Sequence, residues 1–205
     1  MNTYLLLAYI TGGLLVIYAL FIYIFPSRKL NLILKAGLNL LSVINLVFVY
    51  LYTENSLLFA GMATGVIGCV REILFSFRGK WKALNCIAWP IGFSLLFIGS
   101  LFFTYKGPLS LLPVAGSVLS SFFFYITNEK LFKTGAVISN ILYSTYYAVL
   151  IPSSDILTIF SLLTASMGLV SSIIGLIVLL CKERKTKKNM EKENNDSRSN
   201  EEKES

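Results

Sequence analysis

Between Tyr4 and Cys181 the chain is a succession of apolar runs, separated by short stretches of charge, proline and glycine. Crossing the roughly 30 Å hydrocarbon core of a bilayer takes about 20 apolar residues as a helix, and the breaks cut this chain into pieces of close to that length. Seven helices are expected, at about 4–25, 30–52, 57–77, 83–103, 109–126, 134–151 and 156–181. The breaks are Pro26-Ser27-Arg28-Lys29, Thr53-Glu54-Asn55, Arg78-Gly79-Lys80-Trp81-Lys82, Tyr105-Lys106-Gly107-Pro108, Thr127 to Lys133 and Pro152-Ser153-Ser154-Asp155. The fifth and sixth runs are the shortest and most polar. Composition agrees with this reading. The 205 residues are 55% hydrophobic and 14% charged, and residues 182–205 alone hold eight of the 18 Lys/Arg and seven of the 11 Asp/Glu. What remains is too little polar surface to cover a soluble domain. The expected class is therefore all-α and polytopic, with residues 1–181 in the membrane and a disordered, charged tail over 182–205.

Met1-Asn2-Thr3 carries no charged side chain and precedes a run longer than the apolar core of a signal peptide, so the first helix is expected to be retained. Lys and Arg alternate between loops. Arg28 and Lys29, then Arg78, Lys80 and Lys82, then Lys130 and Lys133 fall in the odd-numbered loops, and Lys182, Arg184, Lys185, Lys187 and Lys188 open the tail, whereas the intervening loops hold Lys106. The positive-inside rule then places the N-terminus outside and the C-terminus in the cytoplasm, which needs an odd number of helices.

The chain has no histidine. Imidazole proton relays, histidine-type zinc sites and Ser/His or Cys/His nucleophile pairs are thereby unavailable, and neither an enzyme nor a resident metal or cofactor is expected. Cys69, Cys86 and Cys181 lack CxxC spacing and read as small buried hydrophobes.

A faint internal repeat joins the two halves. Lys29-Leu30 followed by Lys35-Ala36-Gly37 is echoed by Lys130-Leu131 followed by Lys133-Thr134-Gly135, in both cases a cytoplasmic loop leading into a helix. Pairing Lys29 with Lys130 sets Gly12 opposite Pro113. Helices one to three and five to seven would then form two units of the same orientation, about 4–77 and 109–181, with the fourth helix, about 83–103, restoring the direction of the chain. Transporters built from such repeats carry their solute site at the repeat interface.

The stretch Leu111-Leu112-Pro113-Val114-Ala115-Gly116-Ser117, the following Ser120-Ser121 and the segment Gly68-Cys69-Val70-Arg71 resemble the bacterial inner membrane proteins of the Imp-YgjV family over most of residues 5–182. That layout is in turn similar to the three-plus-one-plus-three arrangement of the SWEET and PQ-loop transporters and of the nicotinamide riboside carriers. The chain has neither a Pro-Gln pair nor the carriers' Trp-rich motif, so no substrate follows from the resemblance. It implies a bacterial inner membrane location.

Arg71 and Glu72 lie inside the third run, where charge is costly and tends to face a bundle interior or a cavity. Adjacent helical positions point about 100° apart, so the two are not expected to pair. Arg71 reads either as a snorkelling side chain or as a solute or anion ligand, and Glu72 as a candidate coupling proton site. Asn39, Ser42 and Asn45 form a stripe on helix two, and Ser139, Asn140, Tyr143, Ser144 and Tyr147 one on helix six. Matching Lys35 to Lys133 makes Ser42 equivalent to Asn140 and Asn45 to Tyr143. These residues read either as interhelical hydrogen bonds or as the walls of a central pocket. Asn45, Asn140 and Arg71 are expected to converge there, with Ser42, Tyr143, Asn39 and Glu72 around them. Pro113 and Gly116 read as a helix start or as a hinge. Trp81 reads as an interfacial anchor, and Trp89 as a core residue or a ligand-stacking ring.

Two functions follow. One is a small-solute transporter working by alternating access between two three-helix bundles. The other is a non-transporting assembly or sensory subunit acting through protein contacts. The expected partners are the lipid bilayer and a small-molecule solute, with a homo-oligomer left open and nucleic acid excluded.

Overall fold

The computed structural model describes residues 2–56, 58–105, 107–150 and 156–204. Its elements are α-helices joined by turns, two of which are short 3-10 segments at Lys82–Asn85 and Pro108–Ser110. The helices are α1 (Thr3–Ala19), α2 (Arg28–Thr53), α3 (Leu58–Ser76), α4 (Ala88–Gly99, continued by the single turn Leu101–Thr104), α5 (Leu111–Tyr125), α6 (Glu129–Leu150) and α7 (Ile156–Glu204). Among the described residues seven helices thus follow one another in the expected order. Among the described residues four segments are long and apolar enough to cross a membrane: Arg28–Thr53, Leu58–Ser76, Pro108–Tyr125 and Thr158–Lys187. Thr3–Ala19 and Ala88–Thr104 are apolar but shorter. The outer surface carries large apolar side chains such as Ile17, Phe21, Leu95 and Phe102. So much exposed hydrocarbon marks a surface that meets lipid.

Local chemistry sets the boundaries. The Asn2 side chain accepts from Tyr4 N at 2.9 Å to open α1, and Asn128 accepts from Lys130 N and Leu131 N at 2.9 and 3.1 Å to open α6. The Asn128 cap moves the start of α6 from the expected Thr134 back to Glu129, so Lys133 belongs to the helix and not to a loop. Helix α4 starts at Ala88, later than the expected Ala83, because Pro90 is tolerated within the first turn and not deeper. Helix α1 ends at Ala19, well before the expected Phe25. Pro26 disfavours helix at the residue before it, and bonds from other helices hold the non-helical stretch. Tyr23 N donates to Ser171 Oγ at 2.9 Å, and Asn31 Nδ2 to Phe25 O at 3.0 Å. The backbone of residues 182–204 continues α7 as helix where composition predicts disorder. Lys, Arg, Glu and Met are good helix formers, and neither Pro nor Gly follows Gly175 to stop them.

Helix α2 packs along both α1 and α3, α6 along both α5 and α7, α7 returns to α1, and α3 meets α5 directly and through α4. Six helices thus form a ring in the order α1, α2, α3, α5, α6, α7, with α4 against α3 and α5. Small residues permit the close crossings. On α3, a Cβ at Gly65 or Gly68 would stand 2.7 Å from Val43 Cγ2 or Asn39 Nδ2 of α2, and on α1 a Cβ at Gly12 would stand 2.8 Å from the Phe160 ring of α7. Tyr23, Phe124 and Phe132 meet at centroid separations of 4.9 to 6.3 Å, so the end of α1, the end of α5 and the start of α6 lie together. Arg28, Arg78 and Lys133 gather at this basic end of the bundle, on which α1, α3 and α5 terminate.

Candidate functional site

The third helix carries its two charges into the interior. Arg71 is 4% exposed and Glu72 is fully buried. Contrary to the sequence expectation, the two side chains pair, with Arg71 Nη2 to Glu72 Oε1 at 2.7 Å. Their Cα–Cβ directions do diverge, but the arginine stem is long enough to bring the guanidinium round, and away from water each charge lowers its energy most against the other. Snorkelling is not what Arg71 does.

The pair is the centre of a longer polar chain. Asn39 Nδ2 of α2 donates to Glu72 Oε2. Arg71 Nη1 donates to Ser117 O, Ser120 Oγ and Ser121 Oγ of α5, each at 2.9 Å. The guanidinium lies 4.9 Å from the Phe97 ring centre and 5.5 Å from that of Phe124, a favourable cation–π placement. Ser117 Oγ is 2.5 Å from the Tyr143 hydroxyl of α6. Asn39, Glu72, Arg71, Ser117 and Tyr143 therefore link α2, α3, α5 and α6 through the middle of the ring. The three serines are absent from the sequence-derived site, yet their spacing at i, i+3 and i+4 put them on one face of α5 from the start.

The remaining candidates divide. Asn140 is buried on α6 beside Gly168 of α7, where a Cβ would stand 3.0 Å from Asn140 Oδ1. Asn140 Nδ2, Ser144 Oγ and Thr164 Oγ1 are buried with no hydrogen-bond partner among the described residues. One turn separates Asn140 from Ser144, and one turn separates Gly168 from Thr164, so the three atoms follow the α6/α7 seam. Asn45 does not join this group. Its Nδ2 donates to Ala8 O and Thr11 Oγ1 of α1, both at 2.7 Å, which makes it an α1–α2 tie. Ser42 is half-buried on α2. Asn39 on Gly68 and Asn140 on Gly168 share one environment, an amide seated on a glycine of the next helix.

Pro113 falls in the first turn of α5, where a missing N–H costs little. Gly116 O accepts from Ser139 Oγ at 3.0 Å, and a Cβ there would stand 3.3 Å from the Tyr143 ring. Trp89 Nε1 donates to Ala83 O at 2.9 Å and its ring stacks on Phe93, a packing role, while the exposed Trp81 stacks on Phe77. The three cysteines are free, and Cys86 and Cys181 are exposed on the apolar surface, not buried as expected. Among the described residues no three His, Cys, Asp or Glu side chains cluster as a metal site would require. Comparison with protein-family models, with curated proteins and with solved structures gives no match to the chain.

Proposed function

We propose that the chain is a small-solute transporter of a bacterial inner membrane, working by alternating access between two three-helix units, α1–α3 and α5–α7, with α4 as linker. The observation that carries this reading is the polar chain from Asn39 through Glu72 and Arg71 to Ser117 and Tyr143, which crosses from one unit to the other. A buried ion pair is a poor means of gaining stability, and ionisable groups at membrane depth mark solute or ion paths. The helix neighbours support the two-unit reading. Exchanging α1 with α5, α2 with α6 and α3 with α7 turns α1–α2 into α5–α6, α2–α3 into α6–α7 and α1–α7 into α5–α3, which are all neighbours in the ring. Parallel repeats about an axis along the membrane normal are a transporter architecture, and the resemblance to the Imp-YgjV family points the same way. The Lys/Arg distribution puts the basic end in the cytoplasm and the N-terminus outside.

Arg71 is paired with Glu72, so neither charge of that pair is left over for a solute. What the site offers is hydroxyls and amides, among them Asn140 Nδ2, Ser144 Oγ and Thr164 Oγ1. A neutral, multiply hydroxylated or amide-bearing solute fits that chemistry. The test is uptake of radiolabelled neutral sugars, polyols and nucleosides into proteoliposomes. Expected is flux above protein-free liposomes for at least one of them, lost in Asn140→Leu. Absence of flux throughout the panel would overturn the neutral-solute assignment. The competing reading, an assembly or sensory subunit, draws on the continuation of α7 to Glu204 and predicts that deleting residues 182–205 abolishes function in cells while no solute is carried.

A further inference from the structure

Lys133 is 1% exposed, and its ammonium faces backbone. Its three N–H donors are taken by Tyr23 O, Phe25 O and Gly175 O, each at 3.0 Å. Tyr23 and Phe25 follow the end of α1, where a helix leaves carbonyls without intrahelical partners and presents the negative end of its dipole. Gly175 lies on α7, and a Cβ there would collide with Tyr23 O, so α1 and α7 approach as closely as backbones allow. A second cation repeats this arrangement. Arg28 Nη2 at the start of α2 donates to Phe75 O at 3.3 Å and to Phe124 O at 2.5 Å, carbonyls in the last turns of α3 and α5.

The two sets correspond helix by helix, although the cations stand about one turn out of register, since the shift that pairs Lys29 with Lys130 sets Arg28 against Glu129 and Lys133 against Leu32. Lys133 begins α6 and joins the end of α1 to α7, while Arg28 begins α2 and joins the end of α5 to α3. Tyr23 answers to Phe124 under the shift that pairs Lys29 with Lys130, and Phe75 to Gly175 under the shift that pairs Gly68 with Gly168. In each set a cation from the second helix of one unit grips the third helix of its own unit and the first helix of the other.

We infer that Arg28 and Lys133 are a matched pair of latches that hold the basic end of the bundle shut, and that this end opens by releasing the ends of α1 and α5 from them. Backbone carbonyls suit a latch that opens. Neither partner is an anion, so release strands no carboxylate, and the freed cations and carbonyls both gain water. Arg78, whose Nη1 donates to Tyr125 O, supplements the Arg28 side.

This inference rests on the alternating-access reading, so its test reads motion and not flux. Nitroxide labels at Pro26→Cys and Thr127→Cys, two exposed positions just past α1 and α5, are placed in a chain whose three native cysteines are replaced by serine. Pulsed electron-spin distances are measured in lipid nanodiscs. The otherwise native chain is expected to give a major short distance and a minor longer one. Lys133→Met should raise the long population several-fold, and Gly175→Ala, which keeps both cations and pushes Tyr23 away, should shift it in the same direction. A single distance in the native chain overturns the latch whatever the variants do, as does an unchanged distribution in either variant that elutes as a folded, monodisperse protein. Two distances without transport of any solute would sink the transporter and leave the latch standing.

Discussion

Removing the charge of Glu72 isolates the physics of the buried pair. In Glu72→Gln the shape is kept, and the amide can still accept from Arg71, but the guanidinium loses its countercharge and retains three neutral acceptors on α5. Two unit charges about 4 Å apart at an effective dielectric near 20 attract by about 4 kcal/mol. Breaking buried pairs by removal of one partner costs roughly 3–5 kcal/mol. At about 2–4 °C per kcal/mol for a chain of this size, the unfolding midpoint in detergent should fall by on the order of 10 °C. The double variant Arg71→Met/Glu72→Leu should recover much of that loss. Ser120 Oγ and Ser121 Oγ already donate to Ser117 O at 2.9 Å, so the serines stay satisfied without the guanidinium. Asn39 remains without its carboxylate, a residual cost of about 1–3 kcal/mol. Thermal unfolding followed by a thiol-reactive dye, or by loss of the monodisperse peak after heating, reads both numbers. A midpoint for Glu72→Gln within a couple of degrees of the parent, or a double variant no more stable than the single, would show that the pair is not held as a desolvated unit.

Asn45→Ala removes two hydrogen bonds to α1 and should lower stability by about 1 kcal/mol without altering solute flux; a selective loss of flux at unchanged melting temperature would return Asn45 to the site. Gly68→Ala puts a Cβ 2.7 Å from Asn39 Nδ2 and should destabilise by about 1–3 kcal/mol, whereas Gly13→Ala, with open space around it, should stabilise by about 0.5–1 kcal/mol on helix propensity alone. Equal melting temperatures for the two variants would contradict the packing of α3 on α2. Reporter fusions after Lys188 should report cytoplasm and fusions at Glu54 the exterior, and a common location for both would remove the topology on which the transporter reading stands.

The number and order of the helices were legible in the sequence, because hydrocarbon imposes its demand on each segment separately. A run either is or is not long and apolar enough, and Pro26, Glu54 or Gly107 marks its edge without reference to the rest of the chain. The stripes of Asn and Ser were legible too, since spacing along one helix fixes which residues share a face. Which face met what was decided by tertiary structure. Asn45 turned to α1 and Asn39 to Glu72, although both stand on the same stripe of α2. Arg71 reached Glu72 and three serines 46 to 50 positions away. Lys133, which reads as one more basic loop residue, is buried under carbonyls 108 and 110 positions earlier in the chain. Helix α1 stopped early because Ser171, Lys133 and Asn31 hold its last residues in another conformation. Each of these outcomes turns on a polar group that must find its partner away from water, and the partner stands on a helix whose distance and rotation are set by how glycines such as Gly68, Gly168 and Gly175 let the bundle close.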